Sequence, residues 1–232
     1  MKVLIIIPAY NEENSIEALL DELDTSYPQY DYVVVNDCSK DSTPQILKSR
    51  GANHLNLPIN LGIGGGVQTG YIYAKEYGYD IAVQMDGDGQ HLPEYLSHII
   101  TPVANGEADA AVGSRFIDKE GFQSSAMRRL GINLLSFLIR LMTGVKVTDV
   151  TSGFRAVNRK GIELFAANYA QDYPEPEALV VSAVNGLKTV EVAVKMQERT
   201  GGTSSIGGFK SAYYMIKVSL AIILAKITGK RR

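Results

Sequence analysis

The sequence predicts a single α/β domain whose central sheet is mostly parallel and is flanked by helices. Residues 3–7, Val-Leu-Ile-Ile-Ile, form an uninterrupted apolar run, which is typical of a strand buried on both faces of a parallel sheet. Strand and helix patterns then alternate through the first half of the chain, as in a doubly wound sheet. A chain of 232 residues, 45% of them hydrophobic, is long enough to bury one complete core.

In the first half, each predicted strand is a short apolar run that stops at turn-forming residues. The helix predicted over residues 45–50 follows residues that favour a helix start, namely aspartate, serine, threonine and proline. The predicted strands cover residues 2–7, 31–36, 54–57 and 81–85, and the predicted helices cover residues 11–23, 45–50 and 67–77.

The second half is less regular, but no linker separates it from the first half. Strands are predicted over residues 108–113 and 189–195, and helices over residues 128–143, 157–164 and 178–185. The segment 201–205, Gly-Gly-Thr-Ser-Ser, predicts a loop that becomes ordered on ligand binding. We therefore predict one domain over residues 1–205, followed by a basic amphipathic helix over residues 206–232.

Charge is unevenly distributed along the chain. The net charge is −2, yet residues 199–232 contain seven lysines and arginines and no acidic residue. Apolar residues recur there at roughly helical spacing, which favours a membrane surface over nucleic acid as partner. The alternative is a helix packed on the core with a solvated basic end. The longest uncharged apolar stretches, residues 130–139 and 218–225, fall short of the ~20 residues that span a bilayer.

The cellular compartment is indicated by two features. Cys38 is the only cysteine, so no disulfide forms within the chain, and the first residues show no secretory leader. We therefore expect a cytoplasmic protein that is peripheral on the cytoplasmic face of the membrane.

Two carboxylates, Asp86 and Asp88, follow the predicted central strand. Buried carboxylates this close repel each other unless a cation lies beside them. Oxygen ligands suit Mg²⁺ or Mn²⁺, which usually complete their coordination shell with substrate phosphates. Gly87 allows a ligand to approach the backbone, and either Gln90 or His91 is a candidate for a further ligand. The alternative is a plain turn that uses Asp and Gly for their backbone tolerance.

Loops after other strands are expected beside these carboxylates, because the carboxyl ends of parallel strands share one edge of the sheet. Asp37 follows the second strand, and a glycine-rich turn precedes the helix over 67–77. That turn is able to bind a phosphate at a helix N-terminus, but it lacks the lysine of a P-loop, and a structural turn is the alternative. The residues of these loops are Pro8, Ala9, Tyr10 and Glu12 after the first strand and Gly62, Gly64, Gly65 and Gly66 in the turn.

Six short motifs occur in order along the chain: Ile6-Ile7-Pro8-Ala9-Tyr10-Asn11-Glu12, Val35-Asn36-Asp37-Cys38-Ser39, Asn60-Leu61-Gly62-Ile63-Gly64, Asp86-Gly87-Asp88-Gly89-Gln90-His91, Gly113-Ser114-Arg115-Phe116 and Thr151-Ser152-Gly153-Phe154-Arg155-Ala156. Together they resemble the family 2 glycosyltransferases, which have the Rossmann-like GT-A fold. Within that family the chain is similar to the dolichol- or polyprenyl-phosphate sugar synthases. The similarity runs from residue 3 to about residue 205.

The resemblance implies a role for each motif. Asp37 would bind the nucleotide base, while Asp86, Asp88 and Gln90 would organise the metal and the diphosphate. The rest of the donor site would comprise Pro8, Ala9, Tyr10, Glu12, Gly62, Gly64 and Gly87. The acceptor would be bound by Arg115, Arg129, Arg199 and Ser204. Ser205 departs from the family pattern, which usually has lysine at this position.

An inverting mechanism is expected, in which the acceptor oxygen attacks the sugar carbon opposite the leaving nucleoside diphosphate. A lipid-phosphate acceptor is already anionic and needs no base, with Arg115 positioning it. The hydroxyl of a lipid-linked glycan would need a carboxylate to take its proton. Glu175 and Glu177, in a Pro-Glu-Pro segment predicted as a stiff loop, are the candidates. The alternative for Glu177 is a helix cap.

Several alternatives stay open at this stage. Asp37 suits uracil, guanine and thymine, so UDP-, GDP- and dTDP-sugars are all candidate donors. A nucleotidyltransferase would need a basic glycine-rich loop directly after the first strand, where this chain has Pro8–Glu12. A non-catalytic nucleotide-sugar-binding subunit that regulates a membrane partner is the other alternative. Some members of the family carry transmembrane helices that this sequence lacks, which leaves room for an integral-membrane partner.

Overall fold

The computed structural model describes residues 1–123, 125–198 and 210–228, without the side chains of 210–214. The strands are β1 (Val3–Ala9), β2 (Asp31–Asn36), β3 (His54–Asn56), β4 (Ile81–Gln84), β5 (Ala110–Ser114), β6 (Arg155–Asn158) and β7 (Thr189–Ala193). The helices are α1 (Ile16–Ser26), α2 (Thr43–Arg50), α3 (Gly62–Glu76), α4 (Leu96–Ala104), α5 (Ala126–Thr143), α6 (Arg159–Ala167), α7 (Pro174–Val184) and α8 (Lys210–Thr228).

The seven strands form one sheet in the order β3-β2-β1-β4-β6-β5-β7. All the neighbouring pairs are parallel except the two that β6 makes with β4 and β5. The predicted α/β fold with a mostly parallel sheet is therefore confirmed. Because β6 runs against its neighbours, the residues that precede it lie at the edge where β1, β2, β4 and β5 end.

The structure corrects several predicted elements. The helix predicted over residues 157–164 is wrong in its first part, because the chain is extended over β6 before α6 begins at Arg159. Helix α4 was not predicted. Helix α7 begins at Pro174, so the Pro-Glu-Pro segment is its first turn and not a loop. Proline is compatible with this position because the first N–H groups of a helix have no partner within the helix.

The core lies on both faces of the sheet. On β1, Leu4 and Ile6 pack into the cluster formed with α3, α5, α6, α7 and α8. Ile5 and Ile7 point to the other face and pack with α1, α2 and α4. Every residue of β1 is buried, which explains why its sequence is apolar without alternation.

Helix α8 packs on α5 and α7. Val218, Ile222 and Ala225 are buried in the core, while Leu220 and Leu224 are exposed. The helix therefore contributes to the core and also presents an apolar outer face. None of the helices in the described ranges is long and apolar enough to cross a membrane.

A matched pair of glycines on α3 tests how closely this helix packs on β1. A Cβ at Gly70 would lie 2.1 Å from Cγ2 of Ile6, whereas a Cβ at Gly66 would lie 3.8 Å from Cβ of Pro8. We expect Gly70→Ala to destabilise the protein by about 1–3 kcal/mol through overpacking. Gly66→Ala should stabilise it by about 0.5–1 kcal/mol, since alanine favours the helix. Urea unfolding measures both, and equal effects would contradict the close packing.

Candidate active site

A cleft of about 510 Å³ opens at the edge of the sheet where β1, β2 and β4 end. The residues that line it come from every motif identified in the sequence. They are Pro8, Ala9, Tyr10, Glu12, Asp37, Asn60, Gly62, Ile63, Gly66, Asp86, Gly87, Asp88, Gln90, His91, Arg115, Arg128, Thr151, Ser152, Gly153, Glu175 and Met196. The predicted convergence of loops on one crevice is therefore observed.

Hydrogen bonds fix the loops of this cleft relative to one another. The backbone N–H of Asp37 donates to the carbonyl of Ala9, at 2.9 Å. One carboxylate oxygen of Asp37 accepts the backbone N–H of Leu61, at 2.7 Å. The hydroxyl of Ser15 lies 2.7 Å from the carbonyl oxygen of Gly87. These contacts join the ends of β1, β2 and β4 to the start of α3, so the cleft wall is preorganised.

Asp86 and Asp88 differ in their surroundings. Asp88 is 1% exposed, and its Oδ1 accepts the backbone N–H of Gln90 at 3.0 Å. Asp86 is partly exposed, and its backbone N–H donates to Nδ1 of His91 at 3.0 Å. The neutral tautomer that fits this bond carries its proton on Nε2, which lies 3.9 Å from Oδ2 of Asp86. His91 also stacks on Phe154, with 5.0 Å between the ring centroids.

The donor set around these aspartates suits an oxygen-binding divalent cation. In the part of the chain that the structure describes, no group of three His, Cys, Asp or Glu side chains is arranged to hold a metal. Two carboxylates and an amide oxygen leave several positions to be completed by substrate, as Mg²⁺ and Mn²⁺ prefer. Gly153 allows this arrangement, since a Cβ there would lie 3.1 Å from Oδ2 of Asp86.

Arg115 lines the cleft, but its guanidinium is held by Asp149. Nε and Nη2 donate to the two carboxylate oxygens at 2.7 and 2.8 Å, and both side chains are buried. Glu191 on β7 supports this pair by accepting the backbone N–H groups of Thr148 and Asp149, each at 2.8 Å. The bidentate geometry orients Arg115 and neutralises much of its charge.

Two neighbouring arginines on α5 have different positions. Arg128 lines the cleft. Arg129 instead lies over the ring of Phe116, with its guanidinium carbon 3.3 Å from the ring centroid, and burial lowers its pKa. Successive side chains on a helix point about 100° apart, and here Arg128 points to the cleft while Arg129 points to Phe116.

Glu175 lies on the cleft wall, in the first turn of α7. Burial raises its pKa to about 7; Arg155 acts in the opposite direction, and Asp86 raises it further. Arg155 is 3% exposed, and its Nη2 donates to the carbonyl oxygens of Ser152 and Glu175 at 2.7 and 3.3 Å. Burial also raises the pKa of Glu177, with Asp172 acting in the same direction.

The raised pKa of Glu175 predicts a pH dependence of stability. A carboxyl group whose pKa rises on folding stabilises the native state most below its unfolded pKa of 4.5, and that stabilisation is lost as the pH rises to about 7. We expect the free energy of unfolding to fall across this window by about 1.4 kcal/mol per pH unit from this group. In Glu175→Gln this contribution disappears. Urea titrations at about pH 5 and about pH 8 with a chelator present measure it. Glu163→Gln, on exposed α6 surface, should keep the wild-type slope, and parallel curves for wild type and Glu175→Gln would contradict the assignment.

Five predicted site residues lie apart from the cleft or outside the described ranges, and Arg129, which covers Phe116, is the first of them. Gly64 packs against the backbone at Ala170, since a Cβ there would lie 2.1 Å from the carbonyl oxygen of Ala170. Glu177 is not among the residues that line the cleft. Arg199 and Ser204 lie outside the described residues.

Other cleft residues were not singled out from the sequence. Thr151, Ser152 and Gly153 were quoted only as part of a motif, and their position depends on the direction of β6. Arg128 was passed over in favour of its neighbour.

An α/β domain whose cleft lies at the carboxyl edge of a mostly parallel sheet belongs to the class of proteins that bind their ligands in that crevice. Comparison with known protein families identifies the chain more narrowly within that class. The model of glycosyl transferase family 2 matches residues 4–165, so the chain belongs to this family and is a glycosyltransferase.

Curated relatives match nearly the whole chain. The chain is 32% identical to the UDP-N-acetylglucosamine–dolichyl-phosphate N-acetylglucosaminyltransferase of Methanococcus voltae, over 96% of this chain and 98% of the relative. It is 33% identical to the undecaprenyl-phosphate mannosyltransferase of Micrococcus luteus, over 100% of this chain and 98% of the relative. Both similarities extend past the residues that the family model matches.

Solved structures support the fold. Glucosyl-3-phosphoglycerate synthase from Mycobacterium tuberculosis, in complex with Mn²⁺, uridine diphosphate and phosphoglyceric acid, aligns with a TM-score of 0.72 at 19% sequence identity. The alignment covers 98% of this chain and 78% of that one. The shared architecture is that of the GT-A fold expected from the sequence.

Proposed function

We propose that this glycosyltransferase moves a sugar from a nucleotide-sugar donor to a polyprenyl phosphate, with inversion, at the cytoplasmic face of a membrane. The observation that supports it most is the composition of the cleft. Asp37, Asp86 and Asp88 line the same cleft as Arg115 and Arg128. The two curated relatives described above are named for dolichyl-phosphate and undecaprenyl-phosphate acceptors.

The donor half of the cleft has the groups that a nucleoside diphosphate needs. Asp37 would accept an N–H of the base, and Tyr10, which is 43% exposed, would cover the base or the ribose. Asp86, Asp88 and Gln90 would hold Mg²⁺ or Mn²⁺ through oxygen ligands. When bound, such an ion neutralises the charge that develops on the leaving diphosphate.

The acceptor half supplies positive charge. A phosphate oxygen of the acceptor forms the new bond to the anomeric carbon. The bond from that carbon to the diphosphate breaks, and its electron pair leaves with the nucleoside diphosphate. Arg115, oriented by Asp149, and Arg128 would position the anionic acceptor. Arg129 would act through Phe116, and Arg199 and Ser204 would complete this side.

Glu175 distinguishes the two kinds of acceptor. A phosphate acceptor has no proton to lose, so Glu175→Gln should retain wild-type transfer within about threefold. A hydroxyl acceptor needs a general base, whose loss costs about 10²–10⁴-fold. Rates of both proteins with polyprenyl phosphate measure the difference. A loss in the second range would contradict a base-free reaction with the phosphate acceptor.

The function itself is tested by product formation. Purified protein is incubated with Mn²⁺, a short-chain polyprenyl phosphate and a panel of UDP-, GDP- and dTDP-sugars, and lipid-linked sugar is measured. One donor class should give product, and a chelator should abolish it. Donor binding without transfer or hydrolysis for any donor would instead indicate a non-catalytic subunit.

A further inference from the structure

The outward faces of α5 and α8 are apolar. Each of the side chains concerned is 40–75% exposed. On each helix they recur mostly at intervals of three or four residues, so they lie on one side. They are Met127, Leu130, Leu134, Phe137 and Leu141 on α5, and Ile216, Leu220, Ile223, Leu224 and Ile227 on α8.

These two faces lie side by side. Helices α5 and α8 pack on each other, and both pack on α7. Their contact is close, since a Cβ at Gly131 would lie 3.0 Å from the sulfur of Met215. Their inner sides are buried through residues such as Leu135 and Ile222. Soluble monomers rarely expose one continuous apolar area of more than a few hundred Å², so we expect this surface to be covered by a partner.

The charges of the two helices indicate which partner. Neither helix contains an acidic residue. Arg128 lines the cleft and Arg129 covers Phe116. The exposed cations that remain among the described side chains are therefore Arg140 on α5 and Lys217 and Lys226 on α8. Two copies of such a surface would repel each other, which disfavours a homodimer through this face. An apolar face flanked by lysine and arginine complements a bilayer with anionic headgroups.

The surface also begins at the rim of the cleft. Arg128, which lines the cleft, lies in the first turn of α5 beside Met127, which is 75% exposed. A lipid whose phosphate enters the cleft near Arg128 would therefore find the apolar side chains of α5 next to it.

We propose that the outward faces of α5 and α8 together form one docking surface for an anionic lipid bilayer, with the cleft opening at its edge. The proposal deepens the proposed function, on which it rests for the lipid acceptor. It goes beyond the tail predicted from the sequence, because half of the surface belongs to α5, far from the C-terminus.

The test uses the full chain and vesicles of phosphatidylcholine with or without phosphatidylglycerol, in a flotation assay. The variant Leu134→Gln/Phe137→Gln changes two α5 side chains that are 57% and 64% exposed, so the fold and its thermal midpoint should be unaffected. The control Ile59→Gln/Ile72→Gln changes two side chains on other surfaces that are 63% and 45% exposed. We expect wild type and control to bind anionic vesicles with equal affinity. The α5 variant should bind them at least roughly tenfold more weakly.

Three outcomes would overturn the docking surface: equal vesicle binding by variant and wild type, no binding of wild type to anionic vesicles, or a wild-type dimer that the α5 variant converts to monomers. Transfer to a short-chain, water-soluble polyprenyl phosphate separates this from the proposed function. If transfer occurs and the α5 substitutions leave vesicle binding unchanged, the function stands and the docking surface fails. If vesicle binding responds as expected and no transfer occurs, the docking surface stands and the function fails.

Discussion

Replacing Asp88 with asparagine is expected to lower the rate of sugar transfer by at least roughly a hundredfold, since even the outer partners of metal ligands are worth about 10–100-fold. Asp88 is 1% exposed, and its carboxylate lines the cleft beside Asp86. Asparagine has the same shape, and its oxygen can still accept the backbone N–H of Gln90. The substitution therefore removes a charge from the proposed cation site and leaves the loop intact.

The measurement is kcat/KM as a function of Mn²⁺ concentration, together with the thermal midpoint. The variant should need more Mn²⁺ and should unfold at the wild-type temperature. Glu163→Gln is the matched control, because it also removes one negative charge but from the exposed surface of α6, and it should leave kcat/KM unchanged. Full activity of Asp88→Asn in the presence of a chelator would rule out a metal-binding role for this carboxylate.

The first half of the fold was predictable because its signals are local. The run over β1 is apolar on both faces, and the residues that end β1 and β4 are the ones that form the cleft. Strand β6 was not predictable in the same way. It is four residues long and begins with a buried arginine, Arg155. Its extended conformation depends on pairing with two neighbouring strands, in which Arg155 lies opposite Gln84 of β4 and Val112 of β5. Such short segments are decided by tertiary contacts and not by local pattern.

The site was predictable in its residue types but not in its pairings. Arg115 was predicted as a site residue, and it lines the cleft. Its partner Asp149 lies 34 residues away along the chain, and no periodic pattern links the two. For Arg128 and Arg129, the direction of each side chain depends on the rotation of α5 about its axis, which is set by packing on α7 and α8. Glu175 reaches the cleft because α7 begins at Pro174, one turn earlier than predicted.

Removing the carboxylate of Asp149 is expected to have the largest effect on stability. In Asp149→Ala the guanidinium of Arg115, which is 5% exposed, would be left buried without its bidentate partner. Removing one member of a buried ion pair costs about 3–5 kcal/mol, and for a chain of this size each kcal/mol lowers the thermal midpoint by about 2–4 °C. Thermal and urea unfolding measure the loss.

The matched control is Asp21→Ala, which breaks the ion pair with Arg50 at the surface. The Asp21 side chain is 64% exposed and Arg50 keeps Asp24 as a second partner, so we expect a loss of less than about 1 kcal/mol. A loss of that size for Asp149→Ala as well would mean that the buried pair contributes no more than a surface pair.

The double variant Arg115→Leu/Asp149→Leu separates stability from catalysis. Because two apolar side chains leave no buried charge, it should regain more than half of the lost stability. Its sugar transfer should remain low, since Arg115, one of the two arginines proposed to position the acceptor, is absent.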